Sequence, residues 1–180
     1  SKEITTKEKD IVDSQKGEEW IDLEGTYSVD PTSIISFKLG PKGGVTKGEI
    51  KNFEGEIVLA ESITSSSFKL TLPVVNLSTF NSMRDESLME ADYFNEAKFP
   101  VMKFVSTSME AKEDGYILKG SFTLLGKTNA QDVFIKYVGT KENKQVFVGK
   151  ASLDKTKFGM TPSAQEGDIV DFSFQLLLIN

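Results

Sequence analysis

Between Ser82 and Phe94 the chain concentrates its most chemically suggestive side chains: Arg84, Asp85, Glu86, Glu90 and Asp92. Paired carboxylates can cleave glycosides when one is held protonated opposite the other, and clustered carboxylate oxygens can hold a divalent cation. The run lacks the fixed ligand spacing of a calcium loop, however, and acids on a short surface helix are ordinarily solvated. Arg84 and Asp85 invite a different reading. A guanidinium is a directed donor that could meet the polar head of a ligand. The competing role is structural: Asp85 completes a cap begun at Ser82, and Arg84 ties the helix to a strand carbonyl. Tyr93 and Phe94 then either gate a pocket or seat the helix as a plug. Gly40-Pro-Lys-Gly-Gly44 is no phosphate loop, because no helix follows it; it reads as a hairpin connection.

Two absences narrow the chemistry further. The 180 residues contain no Cys and no His. That removes Ser-His-Asp and Cys-His nucleophilic sites, thiolate zinc sites and a histidine proton shuttle. No cofactor is implied, and a non-enzymatic role is expected. A formal net charge of −6 argues against nucleic acid as a partner, since phosphate backbones demand concentrated Lys and Arg.

The elements that must position these residues are strands. Ile35, Phe37 and Leu39 alternate with polar neighbours, as do Phe68, Leu70 and Leu72. The set Tyr116, Leu118, Phe122 and Leu124 shows the same period, and so does Val170 to Leu178. Further strands are expected at Glu49–Leu59, Val101–Met109, Val133–Val138 and Val146–Leu153. Turns separate them at Pro41–Gly44, Ser65–Ser67, Asp114-Gly115 and Thr140–Lys144. Ser82–Phe94 is the one helical interruption, and Pro100 forces extension afterwards. About eight strands without crossover helices form an antiparallel meander, and closure into a barrel removes its edges. The fold class is therefore all-β, with one short helix.

Residues 1–24 are polar and charge-dense, and are expected to form a flexible tether before a barrel domain spanning 25–180, with Trp20 and Ile21 packing at the junction. A chain that starts at Ser1 without Met fits a mature form whose export signal has been removed, although trimming of another kind looks the same. Such a tether suits a surface lipoprotein, but the lipid-bearing Cys that would establish membrane tethering is absent.

A barrel of about eight strands is filled by side chains or holds one small ligand. The chain supplies 13 Phe residues and a single Trp, and Phe carries no polar group to satisfy in a dry wall. Strands of roughly 8 residues rising about 3.3 Å each would enclose room for an extended chain, each buried CH₂ contributing about 0.8 kcal/mol before association costs. Phe37, Phe68, Leu70, Phe104, Phe122 and Phe174 are the candidate lining residues. Alternation alone leaves a filled core and a cavity equally open. A filled core would make the protein an interaction or scaffold barrel.

The stretch LSTFNSMRDESLMEADYFN from Leu77 to Asn95, followed by KFPVMKF from Lys98 to Phe104, resembles the central signature of the YceI-like, polyisoprenoid-binding family. Two more segments agree: GSFTLLGKT from Gly120 to Thr128, and KTKFG from Lys155 to Gly159. The resemblance covers about Thr26 to Ile179. It implies an eight-stranded antiparallel, lipocalin-like barrel around an elongated apolar pocket. It also implies a lipid-like small-molecule partner (a polyisoprenoid, fatty acid or fatty amide) and a periplasmic, cell-envelope or secreted location in bacteria. Ser87 and the Leu39–Gly40 region stand where the family often carries His, and Lys155 where it usually carries Arg, so a distinct head-group preference is expected. A homodimer is compatible with such a fold, with no interface signal in the sequence.

Overall fold

The computed structural model describes residues 12, 17–20, 22–40, 46–161 and 167–180. The expected turn at Pro41–Gly44 lies outside them, as do most residues of the expected tether. The eleven strands found among the described residues are β1 (Gly25–Val29), β2 (Ile34–Leu39), β3 (Thr46–Ile50), β4 (Glu54–Leu59), β5 (Ser67–Pro73), β6 (Leu77–Ser78), β7 (Val101–Lys112), β8 (Gly115–Leu124), β9 (Lys127–Lys141), β10 (Lys144–Asp154) and β11 (Ile169–Ile179). All neighbouring pairs are antiparallel.

These eleven strands make eight staves of a closed barrel. β1 and β2 run in succession along β11, pairing Ser28 with Ile179 and Gln175 with Ile34. β3 pairs with β2 while β4 pairs with β1, and β6 pairs with β3 while β5 pairs with β4. Each of the first three staves is thus one long strand broken in the middle. The single strand expected over Glu49–Leu59 is such a case, interrupted at Lys51–Phe53.

The breaks have local causes. Asp30 precedes Pro31, and the Asp30 carboxylate accepts from the backbone N–H of Thr32 (2.9 Å) and from its hydroxyl. Asn52 adopts φ +54°, a region that Asn tolerates better than most residues. Pro73 leads into the turn Val74–Asn76, and Asn76 Nδ2 donates to the Asn52 carbonyl (2.7 Å), joining two breaks. Sharp bends in adjacent staves let a short barrel curve without a continuous ladder.

Five long strands complete the wall; tight turns join β7 to β8, β8 to β9 and β9 to β10, while residues 155–168 connect β10 to β11. At Lys141–Lys144 both loop residues, Glu142 and Asn143, have positive φ, as hairpins of right-handed twist require. One end of the barrel carries the turns at Leu59–Ser67, Lys112–Gly115 and Lys141–Lys144. Trp20, 8% exposed, seals that end. Its ring packs at 5.0 Å from both Tyr116 and Phe147 and 6.5 Å from Phe68, and Phe147 lies 5.2 Å from Tyr137. The preceding backbone is held as well: Gly17 N–H donates to Asp114 Oδ1 (2.8 Å) and Glu18 N–H to the Tyr137 carbonyl (2.7 Å). Trp20 thus packs on the barrel as expected at the junction, its ring closing the floor, while Ile21 lies outside the described residues.

At the opposite end the ladder between the third and fourth staves stops at Pro73–Val101. The segment between β6 and β7 stands over this gap, and it contains helix α1 (Ser82–Leu88). Helical structure was expected to run from Ser82 to Phe94; the α-helix is shorter and continues as hydrogen-bonded turns through Phe99.

Candidate ligand cavity

The barrel interior changes character with depth. In its lower half, inward side chains leave a wholly apolar space of only about 90 Å³. Phe68, Leu70, Phe104, Phe122 and Phe174 line it, so five of the six candidate lining residues converge there. Above them a cavity of about 760 Å³ opens towards the α1 end, well within the roughly 300–1,000 Å³ of small-molecule sites. Phe37, the sixth candidate, lines this upper cavity instead. Ile50, Met102, Phe122, Leu153 and Phe172 line both spaces, which makes one lumen with a roomy mouth and a narrow foot.

Inward glycines explain why so many Phe rings leave a hollow at all. A Cβ on Gly48 would lie 2.2 Å from Phe37 Cζ, one on Gly149 2.2 Å from Phe174 Cζ, and one on Gly120 2.6 Å from Phe104 Cζ. Gly48 and Phe37 are direct partners across β2–β3, as are Gly149 and Phe174 across β10–β11. Each ring lies in a notch left by the missing side chain, against the wall rather than across the lumen. Alternation identified the rings; the notches require knowing the register.

The mouth residues separate into wall and support. Arg84, Tyr93 and Phe94 line the upper cavity, Phe94 half-buried and Tyr93 50% exposed. Asp85 does not line it. Its carboxylate accepts from the Thr79 backbone N–H (2.9 Å) and hydroxyl (2.5 Å). Arg84 grips the same residue, Nε donating to Thr79 Oγ1 and Nη2 to the Thr79 carbonyl, both at 2.8 Å. The expected cap at Ser82 is displaced by one residue: Asn81 is extended, and its Oδ1 accepts from the Arg84 N–H (3.1 Å). Asp85 is engaged with Thr79, so the earlier Asn81 side chain takes the capping role. Among the described residues no three acidic side chains converge as a metal site.

Lys155, which the family resemblance places where an Arg is usual, also reaches the cavity. It opens a 3₁₀ turn, Lys155–Phe158, at the end of β10, and lines the upper cavity while only 9% exposed. Two positions after the inward Leu153, its direction follows from strand alternation carried into the turn.

A family model described as the YceI-like domain matches residues 27–178. The UPF0312 protein plu2095 of Photorhabdus laumondii is 28% identical over 163 residues, covering 83% of this chain and 81% of that protein. Among solved structures, Burkholderia cenocepacia BcnA superposes with a TM-score of 0.76 at 21% identity, covering 84% of this chain and 99% of that one. A polyisoprenoid binding domain from Saccharophagus degradans, implicated in plant cell wall breakdown, superposes with a TM-score of 0.63 at 11% identity, covering 84% and 97%. The match over nearly the whole barrel, from within β1 to within β11, shows that the chain belongs to the YceI-like domain family.

Proposed function

We propose that this protein binds one long apolar molecule in its barrel, such as a polyisoprenoid, fatty acid or fatty amide, and carries or sequesters it without changing it chemically. The observation that carries the reading is the 760 Å³ cavity with its mainly apolar wall, continuous in its lining with the apolar foot. Membership of the YceI-like family and likeness to a polyisoprenoid binding domain point the same way. An extended chain would enter past Tyr93 and Phe94 and lie along Ile50, Met102, Phe122 and Phe172, gaining about 0.8 kcal/mol per buried CH₂ before association costs. Non-catalytic action is supported by the lack of any His or Cys. The site of action in this reading is the bacterial envelope or the secreted fraction.

Native mass spectrometry of gently purified full-length chain, with solvent extraction of the released ligand, tests the reading. A stoichiometric added mass that extracts into organic solvent is expected. Absence of any such mass, together with failure to take up added farnesol or oleate, would reject it.

A further inference from the structure

The lower end of the lumen is closed by a residue that belongs to none of the strands. Trp20 precedes β1, and it also precedes residues 27–178, which carry the family match. Its ring lies 5.0 Å from Tyr116 and Phe147 and 6.5 Å from Phe68. Phe68 lines the foot of the lumen as well, so the indole occupies the layer beneath the space that a ligand's tail would reach. Phe68 and Phe147 meet edge-on at 5.9 Å and are almost wholly buried. Close packing of this kind leaves no path beside the indole.

Trp20 is held there by its neighbours' backbone and by its own bulk. Gly17 N–H donates to Asp114 Oδ1 (2.8 Å) and Glu18 N–H to the Tyr137 carbonyl (2.7 Å). Asp114 lies in the turn between β7 and β8, and Tyr137 on β9, so the approach to the ring is pinned to two parts of the wall. The indole N–H adds nothing to this hold, because Nε1 is buried and finds no acceptor among the described residues. A buried donor without a partner costs stability, and a Phe ring would face an apolar floor without that cost. The larger ring is explained by the volume it fills, not by a hydrogen bond.

We infer that Trp20 is the end-stop of the lumen: its indole sets the longest apolar tail that the barrel encloses, and so selects ligands by chain length. This rests on the proposed binding of a long apolar chain and adds the residue that limits its length. A tail that stops short of Phe68 gains about fourfold in affinity for each further CH₂ it buries. Once its end meets the floor, added carbons stay at the mouth and the gain ceases.

Saturated primary alcohols from decanol to eicosanol, offered together to the full chain and read as bound masses by native mass spectrometry, test the end-stop. Occupancy should climb by about fourfold per carbon and level off at a limiting length. Trp20→Ala should move that limit to alcohols longer by about two carbons or more, given the size of the ring removed, and Trp20→Phe should move it less. Tyr93→Ala, at the mouth, should leave the limit in place whatever it does to affinity. If Trp20→Ala does not fold, Trp20→Leu supplies the same readout. Trp20 is the sole Trp of the chain, so its fluorescence reports arrival at the floor: emission should shift with alcohols of the limiting length and not with the shortest that bind. A limit that is the same with and without the indole, or an emission indifferent to length, overturns the end-stop alone. Failure of every alcohol to bind overturns the chain-binding reading with it.

Discussion

The two halves of the barrel are built from the same alternation of apolar and polar residues, yet one is packed and the other hollow. Around the floor, Phe147 and Phe68 are almost wholly buried and meet Trp20, a residue contributed from outside the barrel strands. Near the α1 end the staves diverge, the third and fourth lose their ladder beyond Pro73–Val101, and a helical segment replaces a wall strand. The difference shows that inward apolar residues make a core only where the wall brings opposite faces together. Where the wall spreads, the same residue types line a cavity, and stability and binding can be assigned to separate ends of one lumen.

A crossed pair of variants tests that division most directly. Phe147→Ala removes a ring with no exposed surface and three aromatic neighbours. It should cost about 3–5 kcal/mol in urea unfolding and lower Tm by roughly 10 °C, while the folded fraction still takes up a chain-bearing probe. Val170→Trp, on the wall of the upper cavity alone, should do the opposite: uptake is lost and Tm moves by no more than about 2–4 °C. If both variants lose uptake and stability together, the lumen is one unit and the division fails.

Gly149→Ala probes the notches that keep the lumen open. The new Cβ would stand 2.2 Å from Phe174 Cζ and 2.4 Å from the Phe134 carbonyl oxygen, so both ring and neighbouring strand must move. Overpacking of this kind costs about 1–3 kcal/mol, and uptake should weaken because Phe174 is driven into the lumen. An unchanged melting curve would show that the ring has other room.

The smallest effect concerns the break between β1 and β2. Hydrogen bonds from the Thr32 side chain and backbone, and then from Lys144, hold the Asp30 carboxyl well below the ordinary carboxylate value, at about 2; Lys144 Nζ lies 3.1 Å away. A depressed folded-state pKa contributes stability that is fully present above the unfolded value of about 3.9 and is lost as pH falls through the folded value. Asp30→Asn should therefore be less stable than the parent at pH 7, with the gap closing by about pH 2 in parallel denaturation curves. A gap that is the same at both pH values would detach the break from this charge.

Much of the wall was legible because period-two alternation needs no partner to be seen. The outward Asp171, Ser173 and Gln175 between inward Phe172, Phe174 and Leu176 define the last strand by themselves. The helix cap was read one residue late, since Ser82 and Asn81 are both good caps and the choice depends on Asp85 being engaged by Thr79. Lys155 could be quoted from a family-like stretch. Its burial in the cavity wall could not be read there, because it depends on residues that pack round it only after β10 and β11 are in register.

By itself, then, the sequence determined the class of fold, the number of staves, the rings that face inward and the chemistry that is excluded for want of His and Cys. These are properties of local periodicity and composition. Tertiary structure decided where three staves break, that Trp20 closes the floor, which rings lie in glycine notches, and that the lumen is filled below and open above. Those depend on distances between residues far apart in the chain, set by register and barrel closure, and a one-dimensional pattern carries no such distances.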